Sequence, residues 1–139
     1  MNLSQFVSCK TAIRDLQSLI AALRKLSGWS EDQIEVHPEA VALFGYQGDQ
    51  RAETAEMIIR RQHVGLASND LGFKKAADGT YQAVISEYDG RHGYDPAWLT
   101  RLTDHYNRER IIKECQLAGY SYQVETRNGE EHVVAYVTV

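Results

Sequence analysis

Asp95 followed at once by Pro96, with Gly119 some twenty residues later, brackets a helix whose two ends are both written into the chain. Asp95 is the N-cap, because its short carboxylate can accept from the free amides of the first turn. Pro96 is the first helical residue, since its missing N–H costs nothing there and its φ is already helical. Gly119 supplies the left-handed residue that stops the helix. Leu99, Leu102 and Tyr106 form one apolar stripe, and Ile111, Ile112 and Cys115 continue it with a change of phase near Asn107. A helix of this kind needs a partner layer for its stripe, and the flanking sequence supplies one.

After the helix, Tyr120 to Arg127 and Glu131 to Val139 are β-rich runs separated by Asn128-Gly129, the strongest short hairpin signal. Before it, short apolar runs at Val41–Phe44, Glu56–Ile59, Leu71–Lys75 and Tyr81–Ile85 predict a meander of four or five strands. Asp78-Gly79 marks a hairpin between the last two, and Pro38 falls just before the strand near Val41. Leu3 to Cys9 alternates loosely and predicts a first strand. Ile13, Leu16, Leu19, Ile20, Leu23 and Leu26 predict an amphipathic helix, with Thr11 as N-cap and Gly28 as stop. The order is β-α-β(4-5)-α-β-β. That predicts an α+β fold over residues 1–139 as one domain, with a mostly antiparallel sheet, two amphipathic helices packed on it, and a closing Asn-Gly hairpin.

Composition narrows the function. A chain of 139 residues can bury a core without staples, and a net charge of −4 argues against a general electrostatic grip on nucleic acid. The two cysteines, Cys9 and Cys115, make no disulfide framework and read as reduced, part-buried thiols of a cytosol-like compartment. The absence of a long apolar run predicts no membrane span, and the first residues lack the pattern of a secretory leader. The sequence contains no P-loop, no dinucleotide fingerprint, no Cys-x-x-Cys, no His-Glu-x-x-His and no Gly-x-Ser-x-Gly. No cofactor and no catalytic residue is therefore predicted. His105 and Glu109 share a helix face, but without a third partner that spacing predicts no metal site.

Three side-chain groups remain as candidates. The loop Tyr88–Asp95 carries Asp89, Arg91 and His92 between glycines and runs into a helix start. With Arg51, these residues could contact a small anionic ligand. The competing reading is a solvated connector serving turns and the cap. Arg60 and Arg61 end a strand, and Arg108 lies on the long helix among Arg101, Arg110 and Lys113. With Tyr122 of the last hairpin they make a candidate partner surface for protein, or less favoured RNA, although interleaved acids cancel much of that charge. His37, His63 and His132 stand alone on predicted strands and read as sheet surface.

Taken in order, several short motifs share a likeness. They are Ser4-Gln5-Phe6 with Lys10-Thr-Ala-Ile-Arg-Asp-Leu16, Gly45-Tyr-Gln-Gly48 with Arg51, Ala55-Glu56, Asp70-Leu-Gly-Phe73, and the run from His105-Tyr106 to Ala118-Gly119-Tyr120. This set resembles the hypothetical chloroplast reading frame thirty-five family, small proteins of cyanobacteria and some algal plastids. The resemblance covers most of the chain and departs from it at Gly28–Glu39 and in the loop near His92. It implies a soluble, single-domain cytoplasmic protein (stromal, if from an alga) with no known activity. The gene neighbourhoods of some bacterial relatives also imply an adaptor role beside ATPases of the AAA class.

Overall fold

The computed structural model describes residues 4–137, in seven strands and four helices. The strands are β1 (Phe6–Lys10), β2 (Glu35–Phe44), β3 (Gln50–Ile59), β4 (Leu71–Lys75), β5 (Tyr81–Ser86), β6 (Ser121–Arg127) and β7 (Glu130–Tyr136). The helices are α1 (Leu16–Ser27), α2 (Arg61–Val64), α3 (Glu87–Gly90) and α4 (Pro96–Ala118), with a 3₁₀ turn at Glu31–Gln33. The fold is α+β. Five strands form one antiparallel sheet in the order β1-β5-β4-β3-β2, and β6 and β7 pair only with each other in a second sheet.

Both faces of the larger sheet are covered. Met57, Ile59, Leu71, Phe73, Ala83 and Ile85 meet α1 and α4 on one side. Leu19, Ala22 and Leu23 descend from α1, and Trp98, Leu102 and Tyr106 from α4. Phe6, Leu43, Ala55, Ile58 and Val84 form a smaller cluster on the other side. It forms because the β2–β3 hairpin is bent by two register shifts, between Val36 and Val41 and between Ala42 and Phe44. The bend brings Leu43 and Ala55 over β4. Gly72 is needed there, since a Cβ would lie 2.9 Å from that of Ala55 and 3.1 Å from Leu43 Cδ2.

The ends of α4 are as expected. Asp95 accepts from the Trp98 amide at 2.9 Å, and Gly119 closes the helix at φ 73°. The start of α1 is not. The helix begins at Leu16, and its cap is Asp15, which accepts from Ser18 N. Thr11 instead gives its hydroxyl to the Tyr81 carbonyl. Residues 11–15 stay outside the helix and are held by tertiary bonds: Tyr81 N donates to Ile13 O, and Arg14 N and Asp15 N both donate to the Tyr106 hydroxyl, while Ile13 N donates to the Thr11 hydroxyl. Further departures follow. Pro38 lies inside β2, on an edge and at the broken part of the ladder, where its missing donor is tolerated. His63 sits on α2 rather than on a strand. Cys9 is exposed and Cys115 buried, both as free thiols. Among the described residues, no helix is long and apolar enough to cross a membrane.

Candidate functional site

Arg60 and Arg61 end β3 beside Asp70, and burial decides what they do. Asp70 is almost wholly buried, so each carboxylate oxygen needs donors. Oδ2 accepts from Phe44 N at 2.7 Å and Arg60 Nη1 at 2.9 Å, and Oδ1 accepts from Arg61 N at 2.7 Å. Arg60 Nε also donates to Glu35 at 2.9 Å, and its guanidinium lies over Phe44. Burial alone would lower the Arg60 pKa, but the bonds from Glu35 and Asp70 outweigh it and raise it. Arg61 reaches the Tyr46 carbonyl at 2.9 Å. The arginine pair therefore fastens β2, β3 and the start of β4 together.

Asp89 continues this network inward. Ser86 caps α3, and its hydroxyl both donates to Asp89 Oδ2 at 2.8 Å and accepts from Asn69 Nδ2 at 2.9 Å. Asn69 N donates to the same carboxylate oxygen. Asp89 Oδ1 is buried and has no hydrogen-bond partner among the described residues. The predicted loop thus begins as one helical turn with its aspartate facing the core. His92 stacks on Tyr88 with ring centroids 4.0 Å apart, and its Nδ1 lies 2.7 Å from the Tyr88 carbonyl. The Arg91 amide closes the turn by donating to Glu87 O and Tyr88 O. Arg51 belongs to β3, beside Asp49 and over the Phe6 ring. Asp89 and His92 share the α3 turn, where the His92 amide donates to Asp89 O, but their side chains engage different partners, and Arg51 sits apart on β3.

Arg108 and Tyr122 both lie along the crevice where the β6–β7 hairpin meets α4, but they border two separate cavities. Asn128 (φ 52°) and Gly129 (φ 79°) make the two-residue left-handed turn that the Asn-Gly signal predicts. The hairpin is attached to the rest of the molecule through α4. Arg108 Nε lies 3.7 Å from Glu131, and Arg108 Nη2 donates to His105 Nδ1 at 3.2 Å. Burial first, and the Arg108 charge second, lower the His105 pKa below its ordinary value. Since arginine can only donate, Nδ1 is the acceptor in that contact.

Arg101, Asp104, His105, Arg108 and Glu131 border a cavity of about 510 Å³. Lys25, Glu109, Lys113 and Tyr122 border a second of about 410 Å³ between α1, α4 and β6. On the hairpin, Val124 and Tyr136 are 47% and 48% exposed. Sequence reasoning passed over Glu131 and used His105 only as a metal possibility. The spacing of Arg101, His105 and Arg108 along one helix stripe was the available signal.

The fold and this crevice define a small α+β domain with an attached β-ribbon. The chain belongs to a family described as a protein of unknown function, DUF1257, whose model matches residues 28–134. The match spans β2 to most of β7 and leaves β1 and α1 outside. No curated protein and no solved structure matches the chain.

Proposed function

We propose that this protein is a binding or adaptor domain that docks a protein partner through the crevice between α4 and the β6–β7 hairpin. One observation carries the reading: the hairpin forms its own two-stranded sheet, and Val124, on the ribbon face that also carries Tyr122 and Glu131, stays open to solvent. A two-stranded ribbon is marginal in water on its own, and three-strand or helix packing is what normally stabilises it. This one packs only partly on α4, so its apolar side chains are available to a partner. The walls carry both signs of charge, Arg101 and Arg108 with Asp104 and Glu131 in one cavity and Lys25 and Lys113 with Glu109 in the other. A mixed rim of this kind favours a polypeptide over a polyanion. Tyr122 in one cavity and Arg108 in the other are the residue types that most often anchor an interface.

An ATPase of the AAA class, which the family resemblance brings forward, is the first partner to test. The experiment is titration calorimetry of the purified ATPase against the wild type and against an Arg108→Ala/Tyr122→Ala variant. Micromolar binding that weakens at least tenfold in the variant supports the reading. Equal binding by both proteins moves the docking surface elsewhere. Absence of binding removes this partner class.

A further inference from the structure

We infer that β1 is a self-pairing edge, through which two copies of this chain join their five-stranded sheets into one continuous sheet. The inference starts from an asymmetry between the two edges of the sheet. Natural sheets protect their edges with proline, bulges and charge, because an open ladder recruits other strands. The β2 edge is protected in this way: Glu35, Pro38 and Glu39 lie within it, and its register breaks twice. The β1 edge has no proline and no register break, and its one protecting device is a lysine at its end. It pairs with β5 in unbroken register from Phe6↔Ser86 to Lys10↔Gln82, and Lys10 is its one charge. Residues 7–10 are exposed.

The ladder fixes which groups are free. Glu87 N donates to Gln5 O at 2.9 Å, so residues 5, 7 and 9 direct their backbone groups at β5. The N–H and C=O groups of Phe6, Ser8 and Lys10 therefore point away from the sheet. This set is symmetric about Ser8, which is what an antiparallel two-fold pairing requires. In that pairing Ser8 faces Ser8 of the second copy, Phe6 faces Lys10, and Val7 faces Cys9. No like charges are opposed.

The side chains agree with the backbone. Val7 and Cys9 lie on the helix side of β1 and, with Ile85, Tyr94, Pro96 and Leu99, line a cleft of about 140 Å³. Val7 is 45% exposed, because α4 stops short of covering it. A second copy placed by the two-fold would bring its own Val7 and Cys9 against this cleft, so the two half-covered clefts would close on each other.

The test is sedimentation velocity over a concentration series, with two variants. Ser8→Pro removes an outward N–H and no bond to β5, so it should leave the circular dichroism unchanged and convert a dimer to a monomer. Val7→Cys should form an intermolecular disulfide with native Cys9 on oxidation, because the two face each other across the two-fold. Within one chain they are too far apart to bridge. Adding Cys9→Ser should abolish that crosslink. A doubled mass for the wild type, lost in Ser8→Pro, together with the Cys9-dependent crosslink, supports the pairing. A wild type monomeric to millimolar concentration overturns it. So does a dimer that survives Ser8→Pro and gives no Val7→Cys crosslink. If Ser8→Pro does not fold, the crosslink and its Cys9→Ser control decide.

Discussion

Replacing Asp70 with asparagine tests the claim that Arg60 and Arg61 fasten the fold. Both carboxylate oxygens accept from N–H donors: Phe44 N and Arg60 Nη1 on one, Arg61 N on the other. An asparagine keeps one acceptor and must turn its NH₂ against a donor, so the usual isosteric exchange is not conservative here. One bond to a charged acceptor is lost, at about 2 kcal/mol, and two others fall to neutral strength. Arg60 keeps Glu35 and remains about one-fifth exposed, which limits the cost of its unpaired charge. The sum is about 3 kcal/mol. With a urea m-value of about 1.5–2 kcal/mol/M for a domain of this size, the midpoint should fall by about 1.5–2 M. Asp70→Ala should be no worse by more than about 1 kcal/mol, because asparagine restores so little. Glu35→Gln, at a carboxylate 36% exposed, should cost under about 1 kcal/mol. The reasoning is refuted if Asp70→Asn unfolds within about 0.5 kcal/mol of the wild type, the range of an ordinary surface substitution.

Three further outcomes are expected. Burial alone would raise the Asp15 carboxyl, but its bonds to Lys113 and Ser18 take it from 3.8 down to about 2. A depressed carboxylate stabilises above its unfolded pKa and loses that contribution as pH falls toward its folded one. Discounted for solvent screening at this quarter-exposed side chain, the contribution is about 1 kcal/mol. The gap in thermal midpoint between wild type and Asp15→Asn should therefore be full above pH 4 and close as pH falls toward about 2; a gap that persists unchanged to acid contradicts it. Gly72→Ala should cost about 1–3 kcal/mol by overpacking against Ala55 and Leu43, read from chemical denaturation. Amides of β6 and β7 should exchange with deuterium well before those of β4 and β5, because a ribbon open on both edges frays locally; equal protection would mean that the hairpin is integral to the core.

Local chemistry made several elements readable in the sequence. Asp95-Pro96, Gly119, Gly28 and Asn128-Gly129 each act through their own backbone, so neither the helix ends nor the last turn needed tertiary knowledge. Thr11 was misread as a cap because the Tyr106 hydroxyl, more than ninety residues away, takes the Arg14 and Asp15 amides and delays the helix until after Asp15. Arg60 looked like surface charge because its partner Asp70 is brought close only by the fold. The same holds for Asp89, which sits in a run of turn residues yet faces Asn69 and Ser86. Of the candidate surface, Arg108 and Tyr122 were visible one by one. Their common place along the junction of α4 and the hairpin was not, since the sequence does not say that the last hairpin packs on α4 instead of joining the main sheet.

The docking reading is tested most directly by quantitative affinity capture from lysate of the cells that make this protein. The full-length wild type, Arg108→Ala/Tyr122→Ala and Ser8→Pro would be compared at matched thermal stability. The account predicts a partner recovered in stoichiometric amount by the wild type and by Ser8→Pro, and reduced at least tenfold with the crevice variant. Equal recovery by the crevice variant would contradict it.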